Sequence, residues 1–441
     1  MERKIAWEKY SQEEMDKVFT FAEDYRQFLS HGKTERECVK LAVAEAKAHG
    51  YEDLNDVIAA GKTLKAGDKV YSVCMGKTLA MFQIGEEPLE NGMNIVGAHI
   101  DSPRIDLKQN PLYEDNDMAM FDTHYYGGIK KYQWVALPLA LYGVVAKKDG
   151  TTVDIAIGDD HGDPVFGISD LLPHLAREQM AKTAAKIIEG EDLNLLIGSI
   201  PVKGEEKEAV KKNILAILKE KYDIEEDDFI SAELEVVPAG AARDYGFDRS
   251  MIMGYGHDDP VCAYPSYKAM FELGSVKRTA VCLLVDKEEI GSVGATGMTS
   301  FYFENTVAEV INACGDYSDI KVRRALNNSR MLSSDVSAGF DPNYPSVMEK
   351  NNSAFLGKGL TFNKYTGSGG KSGSNDANAE YVALVRKIMD DADVTWQTAE
   401  LGKVDVGGGG TIAYLMAKYG MNVIDSGVPV LSMHAPWEII S

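Results

Sequence analysis

The run Met93-Asn-Ile-Val-Gly-Ala-His99 is apolar almost throughout, and it restricts the fold more than any other stretch. A strand that alternates apolar and polar residues leaves one face to water, whereas a continuous apolar run has to be buried on both. Such a strand belongs inside an α/β sheet with helices on each side. It ends in His99-Ile-Asp101, so it carries a polar pair to its own carboxyl end, where open α/β sheets place their sites. Residues two apart on a strand share a face, and there the Asp101 carboxylate can hold the second ring nitrogen of His99. A histidine placed at a strand end for structure alone is the competing reading.

The chain ahead of this strand reads as two amphipathic helices. Ser11 to Glu14 has the capping-box pattern before Val18, Phe19 and Phe21, and Thr34 to Glu37 has it before Val39, Leu41, Ala42 and Val43. Strand patterns follow in Val70-Tyr-Ser-Val-Cys74 and Thr78-Leu-Ala-Met-Phe-Gln-Ile84. From about residue 107 the character changes. Trp134-Val-Ala-Leu-Pro-Leu-Ala-Leu-Tyr-Gly-Val-Val145, Thr152-Val-Asp-Ile-Ala-Ile157 and Leu193-Asn-Leu-Leu-Ile-Gly-Ser-Ile-Pro-Val202 look like strands joined by turns. A charged helix at 205–221 and the acidic loop Glu225-Glu-Asp-Asp228 interrupt them. A length of 441 residues favours two domains. The expected division is one domain of residues 1–106 and 246–441, with residues 107–245 inserted into it as a second, mainly-β domain.

With 45% hydrophobic and 26% charged residues, the chain has ample side chains for a core. Its formal charge of −22 argues against nucleic acid, since neutralising phosphates takes a Lys/Arg surplus. No run of about 18 apolar residues occurs and the start lacks an apolar signal core, so no membrane partner and a cytoplasmic location are expected. The five cysteines are scattered singly without a Cys-x-x-Cys pair, which favours reduced thiols over disulfides or a thiolate zinc site.

Several polar groups stand at the ends of strand-like runs. Leu283-Leu-Val-Asp-Lys-Glu-Glu-Ile-Gly-Ser292 takes an apolar strand into adjacent carboxylates whose side chains leave on opposite sides. One of Glu288 and Glu289 can bind a metal while the other stays free as a base, unless the pair is an ordinary acidic turn. In Gly254-Tyr-Gly-His-Asp-Asp-Pro260, Asp258 can bridge two cations or one aspartate can cap the helix that starts near Val261. His257 reads as a neighbour rather than a ligand. Ser333-Ser-Asp335 and Ser432-Met-His434 supply two more candidates. His99, Asp258, Glu289, Asp335 and His434 together bring imidazoles and carboxylates whose charge, with one hydroxide, balances two divalent ions.

Gly97-Ala-His-Ile-Asp-Ser-Pro103, Gly256-His-Asp-Asp259, Asp286-Lys-Glu-Glu-Ile-Gly-Ser292, Ser334-Asp335 and Ser432-Met-His434 resemble the motifs of the aspartyl aminopeptidase family of di-zinc metallopeptidases. So do Pro238-Ala-Gly-Ala-Ala-Arg-Asp244 and Lys403-Val-Asp-Val-Gly-Gly-Gly-Gly-Thr411, and the likeness runs through essentially the whole chain in order. It implies a zinc-peptidase-like α/β/α catalytic domain with a mixed sheet and an inserted dimerisation domain. His99, Asp258, Glu289, Asp335 and His434 would hold two divalent ions, zinc by resemblance with cobalt or manganese as alternatives. Asp258 would be shared by both ions, Asp101 would orient His99, and Glu288 would be the general base. The substrate implied is a peptide with a free N-terminus, cleaved after its first residue. The resemblance also implies a homo-oligomer, dimers assembling into a dodecamer, with His174 in Leu172-Pro-His-Leu175 reaching a neighbour's site.

Family members favour an N-terminal Asp or Glu, which needs a local cation in an acidic protein. Lys371, in the glycine-rich stretch Thr366-Gly-Ser-Gly-Gly-Lys-Ser-Gly-Ser-Asn-Asp376, is the candidate, although bulkier residues occupy comparable positions in eukaryotic members. In Val406-Gly-Gly-Gly-Gly-Thr411 the backbone N–H groups of Gly409 and Gly410, ahead of an expected helix at 412–418, could hold a substrate carbonyl or carboxylate. Neither glycine loop has P-loop spacing, and tight turning alone would also explain both. Two other readings compete: a different di-metal amidohydrolase or deacylase, and a non-catalytic assembly protein on a peptidase fold.

Overall fold

The computed structural model describes residues 4–315 and 317–441. The chain groups into two compact units, one of residues 1–101, 242–433 and 438–441 and one of residues 102–241 and 434–437.

The first unit is built on a mixed sheet that has nine strands among the described residues. Their order is Glu52–Asp53, Lys69–Cys74, Thr78–Gln83, Ala280–Val285, Asn94–His99, Arg330–Ser334, Asn422–Gly427, Leu360–Asn363 and Trp396–Thr398. The apolar run ending at His99 lies in the middle, parallel to both its neighbours. Each face of the sheet is covered, as that run requires. On one side Phe303, Val307, Val310, Val322, Leu326, Ile412 and Leu415 close over Ile95, Leu283 and Met331. On the other, Tyr25, Phe28, Leu29, Val39, Tyr264 and Tyr267 close over Ala98, Cys282 and Leu284. The Tyr25, Phe28 and Tyr267 rings each pack against Tyr264 or one another at 5.1–5.7 Å between centroids, contacts worth about 0.5–1.5 kcal/mol each beyond their area. A smaller five-stranded sheet joins Arg243–Tyr245, Met251–Gly254, Glu438–Ile440, Pro429–Leu431 and Ser337–Ala338 among the described residues.

Local signals set the first helices, with one difference from expectation. Gln12–His31 starts at a complete capping box of Ser11 and Glu14. Glu35–Ala48 starts after Thr34, but the Thr34 hydroxyl donates to the Glu37 carboxylate instead of accepting a backbone N–H. The box pattern is present there without the box. The strand Asn422–Gly427 carries Asp425 and Ser426 in its interior, a polar content that hides it from a search for apolar runs.

The second unit is an antiparallel sheet, six-stranded among the described residues, in the order Thr152–Ile157, Leu139–Ala146, Ala232–Pro238, Arg104–Asp115, Met118–Tyr126 and Leu195–Gly198. The strand expected from Trp134 begins only at Leu139, because Pro138 has no N–H to give a ladder. The charged helix is Ala209–Tyr222, shorter at its start than its charge pattern suggested, and the acidic loop winds into a 3-10 turn, Glu226–Ser231. Arg104 is buried in this unit, its Nε 2.8 Å from Asp106 and 3.2 Å from Glu235, and its guanidinium 3.9 Å from the centre of the Tyr126 ring. Among the described residues no helix is long and apolar enough to cross a membrane.

Candidate metal centre

Three parallel strands of the first unit end along one edge of the sheet. Register places His99 beside Val285 and Gly97 beside Ser333, so His99, the turn after Val285 and Asp335 leave the sheet side by side. Glu288–Ile290 is a short 3-10 turn, bracketed by Lys287 at φ 69° and Gly291 at φ 92°. Its tight reversal brings a carboxylate oxygen of each glutamate within 4.8 Å of the other and of a His99 ring nitrogen.

Asp101 ties the strand end to that turn. The strand stops at His99, so Asp101 lies past the region where alternation applies. His99 Nδ1 donates to the Asp101 backbone carbonyl at 2.8 Å, with the Asp101 carboxylate 3.4 Å from the same nitrogen. The carboxylate itself accepts the backbone N–H groups of Glu288 at 3.0 Å and Glu289 at 3.2 Å. A carbonyl can only accept, so Nδ1 carries a proton and Nε2 is the ring's face toward the site. That nitrogen lies 3.1 Å from Asp258 Oδ1 and 4.0 Å from Glu288 Oε2.

Within the first unit two groups of donors result, each with its atoms within 4.8 Å of one another: His99, Glu288 and Glu289, and His99, Asp258 and Asp335. The electrostatics of the set call for cations. Burial, then the charge of Asp258, holds the Asp259 carboxyl well above the usual range, against the pull of His99. Burial, then Asp259 and Glu288, does the same to Asp335. Burial works to lower the His99 pKa, but hydrogen bonds to Asp101 and Asp258 and the charges around it win, so the ring is pushed up. Carboxylates forced to hold protons beside an imidazole forced to take one are balanced by a divalent ion, and oxygen donors with one imidazole suit such an ion.

The supports around the set lie at larger sequence distance. Asp258 N–H donates to Glu438 Oε2 at 2.9 Å, and the Asp258–Asp259 peptide is cis. Asp259 stands at the start of helix Pro260–Phe271 but makes no side-chain cap bond. His257 is buried with its Nδ1 2.8 Å from the Tyr25 hydroxyl, and burial pushes its pKa down to about 3. Asp335 N–H donates to the Ser426 carbonyl at 3.1 Å. Glu438 and Asp425 were absent from the sequence reading. Both are buried, Glu438 at the start of the short strand Glu438–Ile440 and Asp425 within Asn422–Gly427, whose polar residues leave no apolar run to find it by.

The remaining candidates are placed as follows. His434 follows Met433 directly and belongs to the short piece 434–437 grouped with the second unit, where its Nδ1 lies 3.0 Å from the Gly128 carbonyl. His174 is exposed in a turn of that unit rather than in a helix. Lys371 Nζ is 3.1 Å from Asp376 and 4.0 Å from the centre of the Tyr365 ring. Gly409 N–H donates to the Thr366 carbonyl at 3.0 Å, and the helix after Gly410 is the short Ala413–Ala417.

The sheet, with a buried acid and imidazole set at its carboxyl edge, defines a metal-dependent hydrolase. Residues 28–441 match the family model described as Aminopeptidase I zinc metalloprotease (M18). A probable M18 family aminopeptidase 1 of Clostridium acetobutylicum is 65% identical over 441 residues, covering 100% of this chain and 95% of the relative. The crystal structure of aminopeptidase I from Clostridium acetobutylicum aligns with a TM-score of 0.93 at 61% identity, over 100% of this chain and 96% of that one. An M18 aminopeptidase structure from Thermotoga maritima aligns at 0.95 and 45% identity, with the same coverage of 100% and 96%. The mApe1 dodecamer of S. cerevesiae, 20% identical over 95% of this chain and 92% of its own with a TM-score of 0.74, shares the fold. The chain belongs to the M18 family of zinc metallopeptidases and is a metal-dependent aminopeptidase.

Proposed function

We propose that the centre holds two divalent ions, zinc by family, and removes the N-terminal residue of peptides with Glu288 as general base. The observation that supports this reading is the overlap of two donor groups, His99 with Glu288 and Glu289 and His99 with Asp258 and Asp335: four carboxylates around one imidazole are more than one four-coordinate ion takes, and a carboxylate, unlike a single imidazole nitrogen, can bridge two ions. His99, Asp258, Glu289, Asp335 and His434 are the ligands in this reading, with Asp258 common to both ions. When bound, such ions polarise a carbonyl and lower the pKa of water. The chain's residues supply the rest. Asp101 holds the backbone of the turn so that the Glu288 carboxylate can take a proton from the attacking water and return it to the leaving amine. Glu288→Gln should keep both ions, read by metal analysis, and lose at least about 100-fold in turnover. Turnover within about tenfold of wild type removes Glu288 as base, and a single ion per chain removes the two-ion reading.

On the substrate side, Gly409, Gly410 and Lys371 are assigned to the bound peptide. Gly409 N–H is engaged by Thr366, so its contribution would be close backbone approach, with Gly410 the donor. Lys371 would recognise an acidic first residue by exchanging Asp376 for the substrate carboxylate. Assembly into homo-oligomers through the inserted domain is supported by its exposed Leu171, Leu172 and Leu175, which neighbour His174 in the chain, and by its exposed Ile200. In that arrangement His174 serves a neighbouring subunit's site. The cytoplasm is the location proposed.

A further inference from the structure

The geometry points to Asp425 and Thr411 as positioning residues that fix the glycine-rich substrate loops against the strand carrying the metal ligand Asp335. This rests on the assignment of Gly409 and Gly410 to the substrate side. Asp425 is a carboxylate inside the central sheet, 2% exposed, where an apolar residue would cost far less to bury. Its Oδ1 accepts the Thr411 hydroxyl at 2.6 Å, and that hydroxyl oxygen accepts the Ala413 N–H at 3.3 Å. With one bond given and one received, the Thr411 side chain has a single orientation.

The same strand grips the metal side one and two residues later. Ser426 accepts the Asp335 N–H at 3.1 Å, and Gly427 lies so close that a Cβ there would sit 1.8 Å from the Asp335 carbonyl oxygen. From Thr411 the grip passes back into the loops. Gly409 N–H reaches Thr366, a Cβ on Gly408 would meet Ser368 Cα at 2.4 Å, and one on Gly407 would meet the Leu401 carbonyl at 1.9 Å. The loops at 366–374 and 401–410 are therefore docked backbone to backbone, and the strand Asn422–Gly427 holds the first through Asn375 Nδ2, 2.6 Å from the Val423 carbonyl, and the second through the Thr411–Asp425 bond. Consecutive residues of one strand hold the metal ligand and the substrate wall in register.

The test uses the full metal-loaded chain and a leucyl anilide substrate. Thr411→Val keeps the shape and removes the bond. The expected result is a KM raised about tenfold, the loss of one hydrogen bond to a buried carboxyl, with kcat within about threefold and metal content unchanged. Thr411→Ser should bring KM back to within about twofold of wild type. Asp425→Asn, isosteric and neutral, keeps an acceptor oxygen for Thr411 and is the milder probe, expected to raise KM by no more than about threefold. Amide exchange in 366–374 and 401–411 should quicken together in Thr411→Val, a readout that needs no turnover. A KM unchanged within about twofold in Thr411→Val, a rise that serine does not reverse, or faster exchange in only one loop would overturn the assignment. Inactivity of the wild-type chain on any free-amine substrate would instead overturn the aminopeptidase reading beneath it.

Discussion

Asp101 accepts the backbone N–H of Glu288 at 3.0 Å, so the residue beside one side of the centre holds the backbone of the residue on the other. The same carboxylate takes the Glu289 N–H, and the Asp101 carbonyl takes the His99 ring N–H. One side chain and its own backbone thereby set three members of the site.

Asp101→Asn should expose how much depends on that arrangement. An amide offers one acceptor oxygen where the carboxylate offers two, so one of the two turn N–H groups loses its partner. Metal affinity is expected to fall about 10–100-fold, measured by competition with a chelator, and turnover to fall with it. Full affinity retained would mean that the carbonyl of Asp101 alone orients His99.

Gly427→Ala tests the closest backbone approach at the site. Its Cβ would lie 1.8 Å from the Asp335 carbonyl oxygen, a contact that the strands must relieve by moving apart. The expected cost is about 1–3 kcal/mol of stability in thermal unfolding, accompanied by reduced metal content if Asp335 is a ligand as proposed.

Removing the ions should make stability fall as pH rises. In the metal-free chain Asp259 and Asp335 have pKa values raised from 3.8, and His99 from 6.5, so the folded state binds more protons than the unfolded one. Stability from these groups is complete below the unfolded values and is lost as pH rises through the folded ones. His257 acts in the opposite sense, since its pKa of about 3 against 6.5 costs stability as pH falls below 6.5. Above pH 6.5 that opposing contribution has ended. Melting temperature in a chelator should therefore decline from pH 6.5 upward, and titrating zinc into that sample should release protons and flatten the decline.

Lys371→Met measures acidic preference directly. Lys371 is shared between Asp376 and the Tyr365 ring, so it must leave Asp376 to meet a substrate carboxylate. If it does, the ratio of Asp to Leu cleavage falls about tenfold or more in the variant, a charge-assisted bond being lost for Asp alone. An unchanged ratio assigns specificity elsewhere.

Much of this protein was legible in order along the chain. A continuous apolar run ending in His99 required a strand buried on both faces, and its partner ending at Val285 carried Glu288 and Glu289 to the same edge because parallel neighbours point the same way. Residue type and strand end were enough for that step, which depends on local period alone. The strand holding Asp425 and Ser426 was not legible, since polar residues inside it erase the apolar signal. Nor was the N-cap hydrogen bond of a capping box, made by Ser11 and missing at Thr34 although both positions carry the same sequence pattern.

The amino-acid order alone determined which groups exist to bind cations and at which strand ends they emerge. Only the tertiary structure decided that Asp101 turns its carboxylate to Glu288 and Glu289, that Glu438 receives the Asp258 N–H, and that Asp425 reaches Thr411. Those bonds join residues 14 to 188 positions apart. Their partners are chosen by sheet register and by loop closure, which are properties of the packed chain and not of any window within it.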